Sequence, residues 1–192
     1  METEITVQLL ENVEETLSKL NKQGFEIKEK VLMTDYYFSK LSLEELKKLN
    51  YAELIKNSFL VRNVKTNNEE INQIIFKNKV LDDNNNVIAE EKIKTNISDL
   101  NSSIKLFNKA GLTNYTTLTQ NMTVLSNNQI EFVIQEIDNL GTFIEYEEDN
   151  TMLTLSEQEK ISTMLNNLKS LDLKIGNDYS CKKVYLKFHS TK

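Results

Sequence analysis

The spacing of hydrophobic and polar residues predicts a chain that is mostly β-strand, interrupted by four helices. Helical spacing begins near four residues that are favourable helix N-caps, Asn12, Ser42, Ser98 and Ser156. The segments with strand-like composition are 2–9, 27–38, 59–64, 71–80, 87–97, 115–125, 130–137, 142–146 and 179–188. Short asparagine-rich turns, including the one at 84–86, separate several of these segments and favour antiparallel pairing. About nine strands are expected to curl or close into a barrel, because closure removes exposed strand edges.

The composition fits one domain that spans residues 1–192. With 39% hydrophobic and 27% charged residues, a chain of this length can bury a substantial core. It has no apolar run long enough to cross a bilayer and its first residues are acidic, so we expect a cytoplasmic protein without a membrane partner. The net charge of −6 argues against a nucleic-acid partner, because neutralising a phosphate backbone requires clustered Lys and Arg.

The residue inventory also restricts the chemistry. The chain has no proline and only four glycines, so neither type of glycine-rich phosphate loop can form. A bound phosphate would therefore be held by side chains. The single cysteine, Cys181, and the single histidine, His189, exclude a disulfide framework and argue against a zinc site or a Cys–His catalytic pair.

Two short runs of alternating carboxylates are the strongest chemical signal in the sequence. They are Glu2-Thr3-Glu4 and Glu145-Tyr146-Glu147. In an extended strand both acids of a run point to the same side of the sheet, so four carboxylates can face one another across a closed sheet. Such a cluster needs compensating cations, and carboxylate oxygens suit a divalent metal ion. The simpler alternative is that all four glutamates lie on solvated strand faces.

Several motifs, in order along nearly the whole chain, resemble those of the CYTH superfamily, the triphosphate tunnel metalloenzymes that include class IV adenylyl cyclases and thiamine triphosphatases. The first run, extended to Ile5-Thr6, resembles the family's E-x-E-x-K motif. Residues 136–147 are very similar to its E-V-x-x-L-G-x-F-x-E-I-E run, which is the one specific match. The other likenesses are Asp35-Tyr36-Tyr37-Phe38 to D-x-Y-F, Phe59-Leu60-Val61-Arg62 to L-R-I-R, Lys77 to a later strand lysine, and Tyr179-Ser180 to a closing Y-S.

This resemblance implies an α+β fold, an eight-stranded antiparallel tunnel with helices packed outside. In the family, tunnel carboxylates bind one or two Mg²⁺ or Mn²⁺ ions, and tunnel Lys and Arg bind a triphosphate. By the resemblance, the candidate metal ligands are Glu2, Glu4, Glu145 and Glu147, the candidate catalytic residues are Glu4 and Glu147, and the candidate substrate contacts are Arg62 and Lys77. The implied function is metal-dependent hydrolysis of a small-molecule triphosphate or polyphosphate, such as thiamine triphosphate or inorganic triphosphate. Cyclic-nucleotide synthesis is less favoured, because the sequence reveals no pocket for a base.

The chain departs from the family pattern at six positions where a charged residue is expected. These positions carry Thr6, Leu60, Ala89, Gln120, Met122 and Gln135. Because most of the expected basic groups are missing, weaker binding of a triphosphate is expected. Two alternatives follow. The protein binds a metal or a less anionic ligand without turnover, or Lys79, Lys92 and Lys94 replace the missing bases from shifted registers.

Overall fold

The computed structural model describes residues 3–83 and 87–190, and its centre is an eight-stranded antiparallel sheet. The strands are β1 (Glu4–Gln8), β2 (Glu26–Ser39), β3 (Phe59–Lys65), β4 (Glu70–Leu81), β5 (Val87–Ile97), β6 (Thr113–Ser126), β7 (Glu131–Ile137) and β8 (Gly141–Glu147). Their order across the sheet is β1-β8-β7-β6-β2-β3-β4-β5. This confirms the predicted antiparallel α+β fold. Glu2 and the predicted turn at 84–86 lie outside the described residues.

Six α-helices and one short 3₁₀ helix, Asn150–Met152, accompany the described strands. The α-helices are α1 (Val13–Lys22), α2 (Leu43–Leu46), α3 (Tyr51–Lys56), α4 (Leu100–Lys109), α5 (Glu157–Ser170) and α6 (Lys183–Ser190). Asn12, Ser42 and Ser156 are N-caps as predicted, whereas the cap of α4 is Asp99 rather than Ser98. The caps supply side-chain oxygens to backbone N–H groups that have no partner within the helix.

Helix α6 lies where the sequence predicts a strand, so the prediction of a strand over residues 179–188 is wrong. β-branched and aromatic residues give this segment strand propensity, but packing overrides it. Val184 and Phe188, one helical turn apart, are both buried on the side of α6 that faces the protein. The residues before α6 follow the edge of β1 instead: the Thr6 amide donates to the Tyr179 carbonyl at 2.9 Å, and the Cys181 amide donates to the Thr6 carbonyl at 3.0 Å.

The sheet is curled, and its two edge strands, β1 and β5, face each other through side chains. Lys79 Nζ on β4 lies 2.6 Å from Glu4 Oε1 on β1, and Lys92 Nζ on β5 lies 3.7 Å from Glu4 Oε2. Within residues 3–83 and 87–190 no backbone ladder joins β1 to β5. The observed fold is therefore a curled sheet whose edges are bridged by ion pairs, and full closure stays a prediction.

Apolar residues cover the convex face of the sheet and close one end of the concave face. On the convex face, Ile5, Val7 and Ile144 belong to one core with Leu20 of α1 and Met164 of α5. A second apolar cluster lies inside the curl and includes Ile55 of α3, Val184 of α6, Leu60, Ile75, Leu118 and Phe143. The polar part of the concave face remains as a cavity beside this cluster. None of the described helices is long and apolar enough to cross a membrane.

Candidate functional site

A cavity of about 590 Å³ occupies the concave face of the sheet. Alternate residues of a strand point to the same face, so several strands each contribute charged side chains to it. Its charged lining includes Glu4, Asp35, Arg62, Lys77, Lys79, Lys92, Glu145, Glu147 and Lys183. A cavity of this size can enclose a small organic phosphate.

Three of the predicted metal ligands meet at one side of the cavity. Glu4 on β1 is directly opposite Glu147 on β8, and Glu145 lies two residues further along β8. One carboxylate oxygen from each of the three residues lies within 4.8 Å of the others. Oxygen ligands at this spacing fit Mg²⁺ or Mn²⁺, which prefer carboxylates. The fourth predicted ligand, Glu2, lies outside the described residues.

A buried carboxylate, Glu90 on β5, contacts three lysines next to this acidic group. Lys92 Nζ lies 3.1 Å and Lys77 Nζ lies 3.4 Å from Glu90 Oε1, and Lys79 Nζ contacts the other oxygen. Lys79 and Lys92 also reach Glu4. The lysines therefore stand between Glu90 and the predicted metal ligands, along the wall formed by β4 and β5.

Arg62 is held by a carboxylate on the neighbouring strand. Its Nε and Nη2 atoms donate to the two oxygens of Asp35, each at 2.7 Å. This bidentate geometry fixes the plane of the guanidinium group, and Asp35 is 2% exposed. Asp35 outweighs the cost of burial and keeps the pKa of Arg62 above its usual range. Arg62 is thus a permanently charged and oriented group in the cavity.

Helix α6 contributes one further cation, Lys183. Its Nζ donates to a carboxylate oxygen of Glu145 and to Gln135 Oε1. Burial by itself raises the pKa of Glu145, but Lys183 reverses that effect and lowers it. In this arrangement the lysine balances the charge of a predicted metal ligand.

The charges of the cavity strongly affect two more groups. Burial raises the pKa of Glu4, but Lys79, Lys77 and Lys92 outweigh it and hold that pKa well below its usual range. Burial, together with the positive charges of Arg62 and Lys79, lowers the pKa of Lys77 to about 7. Glu4 is therefore ionised throughout the physiological pH range, whereas Lys77 is only partly protonated at pH 7.

The structure brings together the described residues that the sequence singled out and adds others. Glu4, Arg62, Lys77, Glu145 and Glu147 all line the cavity. Of the replacement lysines, Lys79 and Lys92 line it, whereas Lys94 is exposed and lies outside the lining. Gln120 and Met122 also line it. Ala89 is adjacent to the inward-facing Glu90 and so faces the other side of the sheet.

Two residues of the site were missed from the sequence, Glu90 and Lys183. Glu90 is followed by Glu91, and only the register of β5 decides which of the two faces the cavity. Lys183 was missed because its segment was assigned to a strand rather than to the start of α6. The i, i+4 spacing of Val184 and Phe188 is a signal that could have indicated a helix in that segment.

Comparisons of the sequence find no match: no protein-family model matches the chain, and no curated protein matches it. Comparisons of the structure do find matches. A Pyrococcus horikoshii protein superposes with a TM-score of 0.70 and 15% identity, covering 99% of this chain and 98% of that chain.

Two further structures have the same fold. A proposed adenylyl cyclase from Hippeastrum, for which a dominant triphosphatase activity is described, has a TM-score of 0.63 and 16% identity, covering 100% of this chain and 97% of that chain. A chain of the Schizosaccharomyces pombe Mediator head module has a TM-score of 0.58 and 8% identity, covering 91% and 96%. At these identities the matches show the fold alone: the chain shares its fold with the Hippeastrum protein over nearly its whole length, and the curled antiparallel sheet with accompanying helices that the sequence resemblance implied is confirmed.

Proposed function

We propose that the protein is a divalent-metal-dependent hydrolase of a small-molecule triphosphate. The observation that carries this proposal is the pairing of opposite charges in one cavity. Glu4, Glu145 and Glu147 form a group that suits a hard cation, and Lys77, Lys79 and Lys92 stand beside it. A metal-bound polyphosphate needs both kinds of group side by side, because its oxygens contact the metal and the basic side chains together.

Charge balance supports the need for a metal. Lys92 Nζ also lies 3.7 Å from Glu147 Oε1. With the contacts described above, four carboxylates are thus joined to four lysines: Glu4, Glu90, Glu145 and Glu147 to Lys77, Lys79, Lys92 and Lys183. This cluster is close to neutral by itself, and Arg62 is neutralised by Asp35. A triphosphate would bring several further negative charges into this partly buried cavity. Its binding is therefore favourable only when cations enter with it.

The protein's own residues would then bind and orient the substrate. Glu4, Glu145 and Glu147 would hold Mg²⁺ or Mn²⁺, which supplies polarisation of the phosphoryl oxygens when bound. Lys79 and Lys92 are charge-assisted donors for non-bridging phosphate oxygens, and Arg62 offers a donor group with a fixed plane. Asp35 orients Arg62 rather than contacting the substrate. The apolar cluster at one end of the curl limits the access of water from that side.

The decisive experiment measures release of phosphate from inorganic triphosphate, thiamine triphosphate and ATP, with Mg²⁺ or Mn²⁺ and with chelator. Turnover is expected with at least one substrate, only in the presence of metal. Glu4→Gln and Glu147→Gln are each expected to reduce kcat by at least about 100-fold, because each removes the charge of a predicted ligand. Glu157→Gln, an exposed glutamate on α5, is the matched control and is expected to leave turnover unchanged.

A specific observation favours a second candidate function, a binding protein of the same fold without turnover. Lys79 with Glu4, Lys183 with Glu145 and Arg62 with Asp35 form ion pairs within the protein itself. A cavity that balances its own charges can serve as a stable scaffold, and the Mediator head module contains a chain of this fold. Metal binding by a folded protein that releases no phosphate from any of the three substrates would establish this candidate in place of the hydrolase.

A further inference from the structure

Helices cover the convex face of the sheet unevenly. Over β1, β7 and β8 that face packs against α1 and α5, and α5 buries Ile161, Met164 and Leu168 there. Over β3, β4 and β5, α4 is the described helix that packs on it, and none of the residues of α4 is fully buried. One face of a sheet is normally covered by a second layer, so this part of the convex face is incompletely covered.

Three apolar side chains form a row across the uncovered part, which we call the apolar row. Phe59 on β3 is directly opposite Phe76 on β4, and Phe76 is directly opposite Ile93 on β5. The residue that follows Phe59 or Phe76, and the one that precedes Ile93, faces the concave side, so the row itself lies on the convex side. Phe59 is 41% and Ile93 is 63% exposed. Neighbouring exposed apolar side chains, unlike scattered ones, indicate a contact surface.

Helix α4 borders the apolar row and has an apolar residue of its own in solvent. The ring of Phe107 on α4 lies 6.1 Å from that of Phe59, measured between centroids, so the helix reaches one end of the row. Leu106, the preceding residue, is 65% exposed. One turn earlier on the helix are Ser102 and Ser103, whose small side chains permit close approach of another surface. Helix α4 therefore offers a second contact face besides the one that packs on its own sheet.

The charges of α4 and of the sheet beside it are complementary. The charged residues of β4 and β5 that point to the convex side are both acidic, Glu70 and Glu91. Helix α4 carries two bases, Lys105 and Lys109, and no acid. A helix of this charge would be attracted to the uncovered part of the convex face.

We propose that this surface binds a second copy of the chain, in a two-fold symmetric dimer in which α4 of each copy lies on the apolar row of the other. A two-fold interface requires one molecule to carry both complementary surfaces, as this chain does. Leu106 of one copy then contacts the apolar row of the other, and Lys109 of one copy lies near Glu91 of the other. The two α4 helices together complete the layer between the two sheets.

The test is sedimentation equilibrium of the full chain at concentrations between about 1 μM and 1 mM. The measured mass is expected to rise with concentration from 22.3 kDa to twice that mass. Leu106→Lys and Ile93→Lys are each expected to raise the Kd of the dimer at least about tenfold, because each places a charge in an apolar contact. Leu10→Lys is the matched control, since Leu10 is 59% exposed and lies outside the proposed interface.

A charge exchange tests the polar part of the interface. Glu91→Lys and Lys109→Glu are each expected to raise the Kd of the dimer about threefold, and the double substitution is expected to restore it. Both substitutions are at exposed positions, so the variants are expected to fold, and circular dichroism checks this.

Disulfide cross-linking tests which surfaces meet. In a Cys181→Ser background, a Leu106→Cys chain mixed with an Ile93→Cys chain is expected to give covalent dimers under mild oxidation. A Leu10→Cys chain mixed with the Ile93→Cys chain is expected to give none.

Two outcomes overturn this proposal. A mass that stays at 22.3 kDa up to about 1 mM would mean that the apolar row does not bind a second copy and is left for a helix of another protein. A dimer whose Kd is unchanged by Leu106→Lys, Ile93→Lys and the charge exchange would place the interface elsewhere on the molecule.

Discussion

At the scale of single residues, the unusual group is Lys77, a lysine whose surroundings oppose its charge. It contacts Glu90, but burial and the neighbouring cations outweigh that contact and lower its pKa to about 7. Lys79, two residues away on the same strand, has its pKa raised, since Glu4 and other partners outweigh its burial. Lys77 and Lys79 lie on the same face of β4, yet replacing each of them with an uncharged residue is therefore expected to change the free energy of unfolding in opposite directions.

Lys77→Met is expected to raise the free energy of unfolding at pH 6 by about 1–4 kcal/mol, because it removes a buried charge that is incompletely compensated. Below pH 7 the Lys77 side chain is protonated in both the folded and the unfolded form of the unsubstituted protein, so the free-energy cost of burying its charge is fully present. Between pH 7 and about 10.4 the Lys77 side chain is protonated mainly in the unfolded form. The cost of burying its charge therefore falls as the pH rises, and the stabilisation gained by Lys77→Met shrinks. Urea denaturation at pH 6 and pH 9 measures both values.

The control for this prediction is Lys79→Met, which is expected to lower stability at both pH values because it leaves Glu4 with fewer partners. A Lys77→Met protein that is less stable than the unsubstituted protein at pH 6 would show that Glu90 compensates the charge after all.

The sequence identified the acidic residues of the site better than the basic ones. Glu4, Glu145 and Glu147 belong to E-x-E runs whose spacing is itself informative. The lysines have no such local pattern, because their function depends on which face of β4 or β5 they occupy and on contacts with other strands. Gln120 and Gln135 were read only as losses of charge, although the structure shows that both are buried and that Gln120 lines the cavity.

At the scale of secondary-structure elements, capping residues and hydrophobic spacing predicted most boundaries. Asn12, Ser42 and Ser156 cap helices in the structure, and the predicted span 87–97 coincides with β5. The failure at α6 has a physical cause: the segment Lys183–Ser190 is rich in residues that favour strands, and only its packing against α3 and β6 selects a helix. Such long-range packing is not encoded in a short window of sequence.

Phe188→Ala is expected to lower the free energy of unfolding by about 3–5 kcal/mol, because Phe188 is a buried aromatic anchor of α6. Its ring centroid lies 5.0 Å from that of Tyr115 on β6. Loosening of α6 should also expose Cys181, which precedes the helix, and so speed its reaction with a thiol reagent. Burial and the charge of Asp178 raise the pKa of this thiol to about 11, so reaction with the unsubstituted protein should be slow.

Leu186→Ala on the same helix is the matched control, because Leu186 is 45% exposed and little is lost when it is truncated. Urea denaturation measures the free energy of unfolding, and the time course of thiol modification measures how accessible Cys181 is. Equal effects of the two substitutions would mean that α6 is not anchored through Phe188.

At the scale of the whole molecule, the site exists only because the sheet curls. Glu4 comes from β1, Lys92 from β5 and Glu147 from β8, and these strands meet at the junction of the two sheet edges. Antiparallel pairing followed from the turns, but no local pattern in the sequence gives the degree of curl. The number of strands predicted a curled or closed sheet, the family resemblance added the tunnel, and the structural matches at low identity support the fold alone.

Metal ions are expected to stabilise the folded protein, since the carboxylates that bind them are brought together only by folding. Saturation with Mn²⁺ at about 100 times its Kd would add about 2.7 kcal/mol to the free energy of unfolding. Differential scanning calorimetry with and without Mn²⁺ measures this as a rise in Tm. Glu145→Gln is expected to reduce the rise substantially, and Glu157→Gln, on the surface of α5, is expected to preserve it. An equal rise in both variants would place the metal elsewhere.

The pairing of β1 sets the order in which the protein can fold. This strand is synthesised before the other described strands, yet one of its sides pairs with β8 and its other side with the residues that precede α6. Both partners emerge from the ribosome late, so β1 must wait for nearly the whole chain. Contacts between residues so distant in sequence make folding slow. Until they form, β1 is an unprotected strand, so newly made chains at high concentration are at risk of pairing with one another.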